Sequence, residues 1–220
     1  MRWIWLRHGE TEANVRGCYL GHLDSPLTSK GYAQAAVAAD RLSRERLELE
    51  REREGMLCEL EQVSGDKSVH LYTSDLGRCM ETASIVAEAL GVKPEADSRL
   101  REIHFGDWEG KTYDEVSASG DKDLLREWYD DPFDRCPPAG ETLWEMGLRI
   151  DEWIAEGIKK FGSDEVVIIV SHGGPIRWFQ CQWLLGDLSA FWKSEKVPPG
   201  GIVAAMWDGK QFIADKKVGA

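Results

Sequence analysis

Residues 165–171 read EVVIIVS. An almost unbroken run of β-branched residues, with no polar alternation, predicts a strand buried on both faces. That is the habit of a parallel sheet covered by helices on each side. WIWL at 3–6 is a second short apolar run, and VHLYTS at 69–74 a third, rich in β-formers. GIVAAMW (201–207) and QFIAD (211–215), joined by a turn containing Asp-Gly, predict a hairpin. Helical patterns lie between: 75–90 stopping at Gly91, 141–161 stopping at Gly162, and 175–185 stopping at Gly186. Strands alternating with helices predict an α/β fold, a three-layer sandwich around a largely parallel central sheet. The 220 residues suit one domain, 1–220.

One stretch departs from this economy. Thr28 can cap a helix running to Gly55, where a glycine inside a helix costs about 1 kcal/mol and predicts a break or cap. From about 43 to 66 acids and bases interleave, which predicts a solvated helical elaboration. A partner contact or a flap are the alternatives.

Charge then narrows the function classes. The chain has 27 basic and 39 acidic residues, a net charge of −12, which argues against general nucleic-acid binding or an anionic membrane surface. A few convergent arginines can still make a local positive well for a small anion. Five separated cysteines with no CxxC pair give no disulfide or zinc pattern and suit a reducing, cytoplasmic setting. No run reaches the roughly 20 apolar residues that span a bilayer, and no secretory leader is expected. The oligomeric state is not fixed, and a homo-oligomer is compatible with the sequence.

Carboxyl ends of parallel strands are where ligands bind in such sheets, and two His-Gly pairs fall there: LRHGETEAN at 6–14 and VSHGG at 170–174. Arg7 offers a planar fork for two phosphoryl oxygens, and a neutral His8 nitrogen can attack phosphorus. Gly9 lets the backbone approach an anion, and Asn14 can donate a further hydrogen bond. YTSDLGRCMETA (72–83) opens a helix that Ser74 or Asp75 can cap, with Arg78 in its first turn. LREIHFGDWEG (100–110) supplies Glu102, Asp107 and Glu109, any of which can serve as the acid of a two-step transfer. His172 can bond phosphoryl oxygens as charge gathers on them. His22, His70 and His104 stand singly and no HxH or HxxxH pair occurs, so no metal centre and no cofactor are expected. A Ser–His hydrolase lacks its GxSxG elbow.

Taken in order, RHGETEAN, GHLDSPLTSKGYAQA (21–35), YTSDLGRCMETA, LREIHFGDWEG, PPAGET (137–142) and SHGG resemble the histidine phosphatase, or phosphoglycerate mutase-like, superfamily along nearly the whole chain. The likeness is greatest to its alpha-ribazole phosphatase and broad-specificity branch. The resemblance implies His8 as the phosphorylated residue and Arg7, Arg78 and His172 as the phosphoryl clamp. It also implies Glu102 as the proton donor, with Asn14 and the backbone near Gly21 as accessory contacts. The expected function is metal-independent hydrolysis of a small phosphorylated metabolite through a phosphohistidine, with alpha-ribazole 5'-phosphate as candidate. Phosphoglycerate mutation is the alternative, and a non-catalytic phospho-ligand binder a lesser one. The acidic stretch after Gly110, KTYDEVSASGDKDLLREWYDDP, departs from the basic segment of the mutases. Trp108 and Trp128 are candidates to stack on a leaving-group ring.

Overall fold

A computed structural model describes residues 1–57 and 68–215. In chain order its elements are β1 (Arg2–Arg7), α1 (Glu12–Arg16), α2 (Ser29–Leu57), β2 (Val69–Thr73), α3 (Gly77–Leu90) and β3 (Pro94–Ala96). There follow α4 (Tyr113–Val116), α5 (Lys122–Asp130), α6 (Leu143–Lys160), β4 (Val166–Ser171), α7 (Gly173–Trp178), β5 (Ile202–Trp207) and β6 (Phe212–Ala214). The strands form one sheet in the order β3-β2-β4-β1-β5-β6. Its β3-β2-β4-β1 portion is parallel, and β5 and β6 complete it antiparallel. This is the α/β architecture that the strand–helix alternation predicts.

The two-sided burial of β4 is visible in every residue of Val166–Ser171, all of them buried. Side chains alternate across a strand, so the sheet feeds two cores. Trp3, Trp5, Val167 and Ile169 join a layer built with Ile150, Trp153 and Ile154 of α6 and with Phe179. Ile4, Leu6, Ile168 and Val170 face Ala38 and Leu42 of α2 and Cys79, Ala83 and Val86 of α3. The first layer is aromatic: Trp3 meets Trp153 edge-on at 5.5 Å between ring centroids, and Trp5 stacks on Phe179 at 5.2 Å.

Several boundaries differ from the sequence reading, each for a local reason. Helix α2 starts as expected, with Thr28 Oγ1 accepting the Gly31 N–H at 3.0 Å. It continues past Gly55 to Leu57, because a run of strong helix formers outweighs one glycine; the rest of the charged stretch, 58–66, lies outside the described residues. Helix α6 begins at Leu143 behind a reciprocal capping box between Thr142 and Glu145. The third expected helix starts at Gly173, and from Phe179 to Leu185 it widens into π turns before Gly186 ends it at φ +65°. Strand β3 lies outside the expected strands because Pro94 opens it; proline is tolerated there at the first residue of an edge strand. Helices α1, α4 and α5 also lie outside the expected elements, being short and highly charged.

Helix α6 packs so closely on its neighbours that two glycines fall where a side chain cannot. A Cβ at Gly157 would lie 2.7 Å from Trp3 Cη2, and one at Gly147 would overlap the indole of Trp178. Trp178 cannot yield easily, since it is fully buried and donates from Nε1 to Asp151 at 2.8 Å. In an open helix Gly→Ala stabilises by about 1 kcal/mol; here overpacking reverses the sign. Gly147→Ala is expected to lower the unfolding free energy by about 1–3 kcal/mol, measured by urea denaturation. A gain in stability would show that this contact relaxes freely.

Candidate active site

Parallel pairing sets the site. Arg7 lies opposite Ser171 at the ends of β1 and β4, and the His8 N–H donates to the Ser171 carbonyl at 3.0 Å. His8 and His172 therefore leave adjacent strands side by side, with ring centroids 5.2 Å apart. On the other side of β4, β2 ends at Thr73 and delivers Ser74 and the first turn of α3, with Arg78.

The hydrogen bonds fix both imidazoles. A carbonyl can only accept, so the 2.7 Å contact between His8 Nδ1 and Gly9 O places a proton on Nδ1 and leaves Nε2 bare in the neutral ring. A guanidinium can only donate, so the 3.2 Å contact from Arg78 Nε makes His172 Nδ1 an acceptor. His172 Nε2–H then donates to Ser74 Oγ at 2.9 Å. Both rings are buried, and both are pushed well below the ordinary histidine pKa, first by desolvation and next by the charge of Arg78.

Arg78 is 1% exposed. Besides the bond to His172, Nη1 donates to Leu23 O at 3.0 Å and Nη2 to Gly21 O at 2.6 Å. Three of a guanidinium's five N–H groups are thus spent. Arg7 donates from Nη1 to Val197 O at 2.8 Å, while its buried Nε has no partner among the described residues. Burial lowers the pKa of both arginines from its high ordinary value.

Of the three candidate acids, the structure brings Glu102 to the cluster. It accepts the Gly174 N–H at 3.0 Å and its own neighbour's, Ile103, at 3.0 Å. Its loop is clamped by Arg149 of α6, which donates to the carbonyls of Arg99, Arg101 and Glu102 at 2.6–2.8 Å. Glu109 is spent on the N–H groups of His22, Leu23 and Phe105, and Asp107 is exposed.

Other expected residues take different parts. Asn14 Oδ1 accepts the Thr11 N–H in the capping box of α1. Gly21 holds Arg78 through its carbonyl, and a Cβ there would lie 2.9 Å from Phe105 N. Neither Ser74 nor Asp75 caps α3. Ser74 is drawn to His172 and Asp75 pairs with Arg101, and the distant Asp24 accepts from Gly77 N at 2.7 Å instead. Asp24 was not legible as a cap because 53 residues separate it from the helix it serves.

Beside the cluster lies a cavity of about 330 Å³, to which Arg7, Glu102, Gly173 and Gly174 contribute. Tyr19, Phe105, Trp128, Tyr129, Phe191 and Trp192 form its aromatic walls, and Arg177 and Lys196 also line it. Tyr19 and Tyr129 join through their hydroxyls at 2.9 Å. Of the two expected stacking tryptophans, Trp128 lines the cavity. Trp108 is fully buried and bonds Asp121. Among the described residues no group of three or more His, Cys, Asp or Glu side chains could hold a metal ion, and no helix is long and apolar enough to cross a membrane.

Known proteins are similar to this chain over most of its length. The chain is 32% identical over 189 residues to phosphoserine phosphatase 1 of Hydrogenobacter thermophilus, covering 86% of this chain and 79% of that one. It is 30% identical over 190 residues to the adenosylcobalamin/alpha-ribazole phosphatase of Salmonella typhimurium, covering 86% and 83%. The solved structure of YhfR from Bacillus stearothermophilus superposes with a TM-score of 0.80 at 29% identity, over 100% of this chain and 97% of that one. Residues 3–217, which include the whole histidine–arginine cluster, match branch 1 of the histidine phosphatase superfamily, and the chain belongs to that family of enzymes.

Proposed function

We propose that the protein is a metal-independent phosphomonoesterase that works through a phosphohistidine on His8. One observation carries this reading: a neutral, buried imidazole with its Nδ1 proton tied to Gly9 O and its Nε2 bare, set among cations with unspent donors. Nucleophilic attack needs that lone pair, and the gathering phosphoryl charge needs those donors.

In the first step Nε2 of His8 attacks phosphorus and the P–O ester bond breaks, its electron pair going to the leaving oxygen. Glu102 gives that oxygen a proton. In the second step water attacks phosphorus, the P–N bond breaks and its electron pair returns to Nε2. Glu102 takes the proton from the water, and inorganic phosphate leaves. Arg7 and Arg78 hold the phosphoryl oxygens with their remaining N–H groups, and Asn14 adds its side-chain amide. His172 is assigned the third donor, exchanging its bond to Ser74 for one to the substrate. The substrate is a small phosphorylated metabolite, handled in a cytoplasmic setting. Alpha-ribazole 5'-phosphate is the named candidate, because an aromatic-walled cavity suits a planar heterocycle and a similar enzyme bears that name.

His8→Ala should abolish turnover, whereas Glu102→Gln should keep phosphate binding and lower kcat by about 10²–10⁴-fold. Rapid quench with labelled substrate should trap an acid-labile phosphoenzyme in the wild type and none in His8→Ala. Substantial turnover by the alanine variant would end this mechanism.

Treatment with EDTA should leave the rate unchanged, because guanidinium groups carry the charge that a metal ion carries in other phosphatases. Activity lost on chelation and restored by magnesium or zinc would contradict the proposal.

The buried histidines also make stability pH-dependent. Below the ordinary pKa of 6.5 the unfolded chain protonates His8 and His172, while the fold keeps them neutral. The unfolded state then binds more protons, so stability is complete above about pH 6.5 and is withdrawn as pH falls below it. A melting series should show a level Tm near neutrality and a decline on acidification, shallower in His8→Asn. A Tm that rises as pH drops through 6 would falsify this assignment.

A further inference from the structure

Arg177 lines the cavity with no hydrogen-bond or ion-pair partner among the described residues. It sits four residues past Gly173 on α7, about 6 Å further from the strand ends at 1.5 Å per residue. Its guanidinium lies over the rings of Phe191 and Trp192, 5.4 and 5.9 Å from their centroids. Among the described residues no hydrogen bond or ion pair reaches it, and its Nε is buried without a partner. The carboxylate whose charge it feels, Glu102, already accepts from Gly174 and Ile103.

A partly buried cation is costly when unpaired. Cation–π contact returns only about 0.5–2 kcal/mol, too little to explain why a lone guanidinium is kept there. The cavity as a whole is cationic, with Arg7, Arg177 and Lys196 against Glu102, in a chain whose net charge is −12.

We propose that Arg177, with Lys196 lining the same cavity, is a second oxyanion subsite, and that the substrate is a phosphomonoester whose leaving group joins a planar or apolar body to a carboxylate or a second phosphate. The aromatic walls receive the body and the Arg177 fork receives the oxyanion. This rests on the phosphomonoesterase reading and refines it, because a neutral heterocycle such as that of alpha-ribazole would fill the walls and leave Arg177 unpaired.

The test compares phenyl phosphate with 4-carboxyphenyl phosphate and 1,4-phenylene bisphosphate on the full-length enzyme. Wild type should favour at least one acid-bearing ester by about tenfold or more in kcat/KM, corrected for two equivalent sites in the bisphosphate. Arg177→Met should cut that ratio by about 10- to 100-fold, the range for a hydrogen bond to a charged group. The better of the two acidic esters names the oxyanion. A wild-type ratio near one for both overturns the subsite. So does a ratio unchanged in Arg177→Met, even if both rates fall, since that marks a phosphoryl-clamping or structural role. If Arg177→Met does not fold, Arg177→Lys keeps the charge, loses the fork, and should lower the ratio several-fold; an unchanged ratio there overturns the subsite equally. Should no ester be hydrolysed, the phosphatase reading fails by itself. Calorimetry with phenylphosphonate and 4-carboxyphenylphosphonate then decides the subsite: Arg177-dependent preference for the carboxylate upholds it, and equal affinity overturns it.

Discussion

The site depends on keeping the charge of Arg78 in a place where water does not reach. Taking an ion out of water costs several kcal/mol even after the protein relaxes. The structure offsets that with two carbonyls and an imidazole nitrogen, from Gly21, Leu23 and His172. Each belongs to a different stretch from Arg78 itself, so the cation ties the 21–24 loop, α3 and the end of β4 to one point. The Gly21 carbonyl can come this near because that loop packs against Ile103 and Phe105 with no Cβ between them. Through that contact the loop bearing Glu102 is fixed too, with Arg149 gripping it from behind.

Once two guanidinium groups stand there, the protonation of the histidines follows. Burial already disfavours charging either ring, and a third or fourth positive charge in the same dry space is more unfavourable still, so His8 and His172 stay neutral. Their tautomers are opposite, because Gly9 offers His8 an acceptor while Arg78 offers His172 a donor. One imidazole is left with a bare nitrogen and the other with its acceptor nitrogen already used. Two residues of one type, at equivalent strand ends, acquire different chemistry from a single neighbour each.

The acidic segment after Gly110 shows how composition can mislead about a pocket. Its carboxylates at Asp114, Glu115, Asp123, Asp130 and Asp131 are exposed. What it turns inward is apolar: Val116, Leu125 and Trp128 are buried, and Trp128 and Tyr129 line the cavity. The charge of a stretch describes its outer face, and an amphipathic helix as short as α5 hides the face that matters.

The sequence alone determined every strand of the sheet but the edge strand β3, and with them the strand ends that bear the histidines. A run such as VVIIVS has no stable place except between two layers, and His-Gly directly after such runs marks the ligand-binding edge. RHGETEAN was legible because it follows a strand directly, where local rules hold, whereas Arg78 and Glu102 stood out from other surface charges through the resemblance to the histidine phosphatases. Tertiary structure decided everything that depends on residues far apart in the chain. The cap of α3 comes from Asp24 rather than from Ser74 or Asp75, Asn14 turns to its own helix, and contacts with α6 and α7 hold Glu102 at the cluster while Asp107 and Glu109 stay away. The cavity walls gather Tyr19, Trp128 and Phe191 from three separate segments. Arg177 is an ordinary helix residue in sequence; only packing against Phe191 and Trp192 reveals that its charge has no counterpart. Local patterns carry hydrogen-bonding and burial preferences along the chain, but a pocket is made of distances across it, and those exist only once the sheet has brought the segments together.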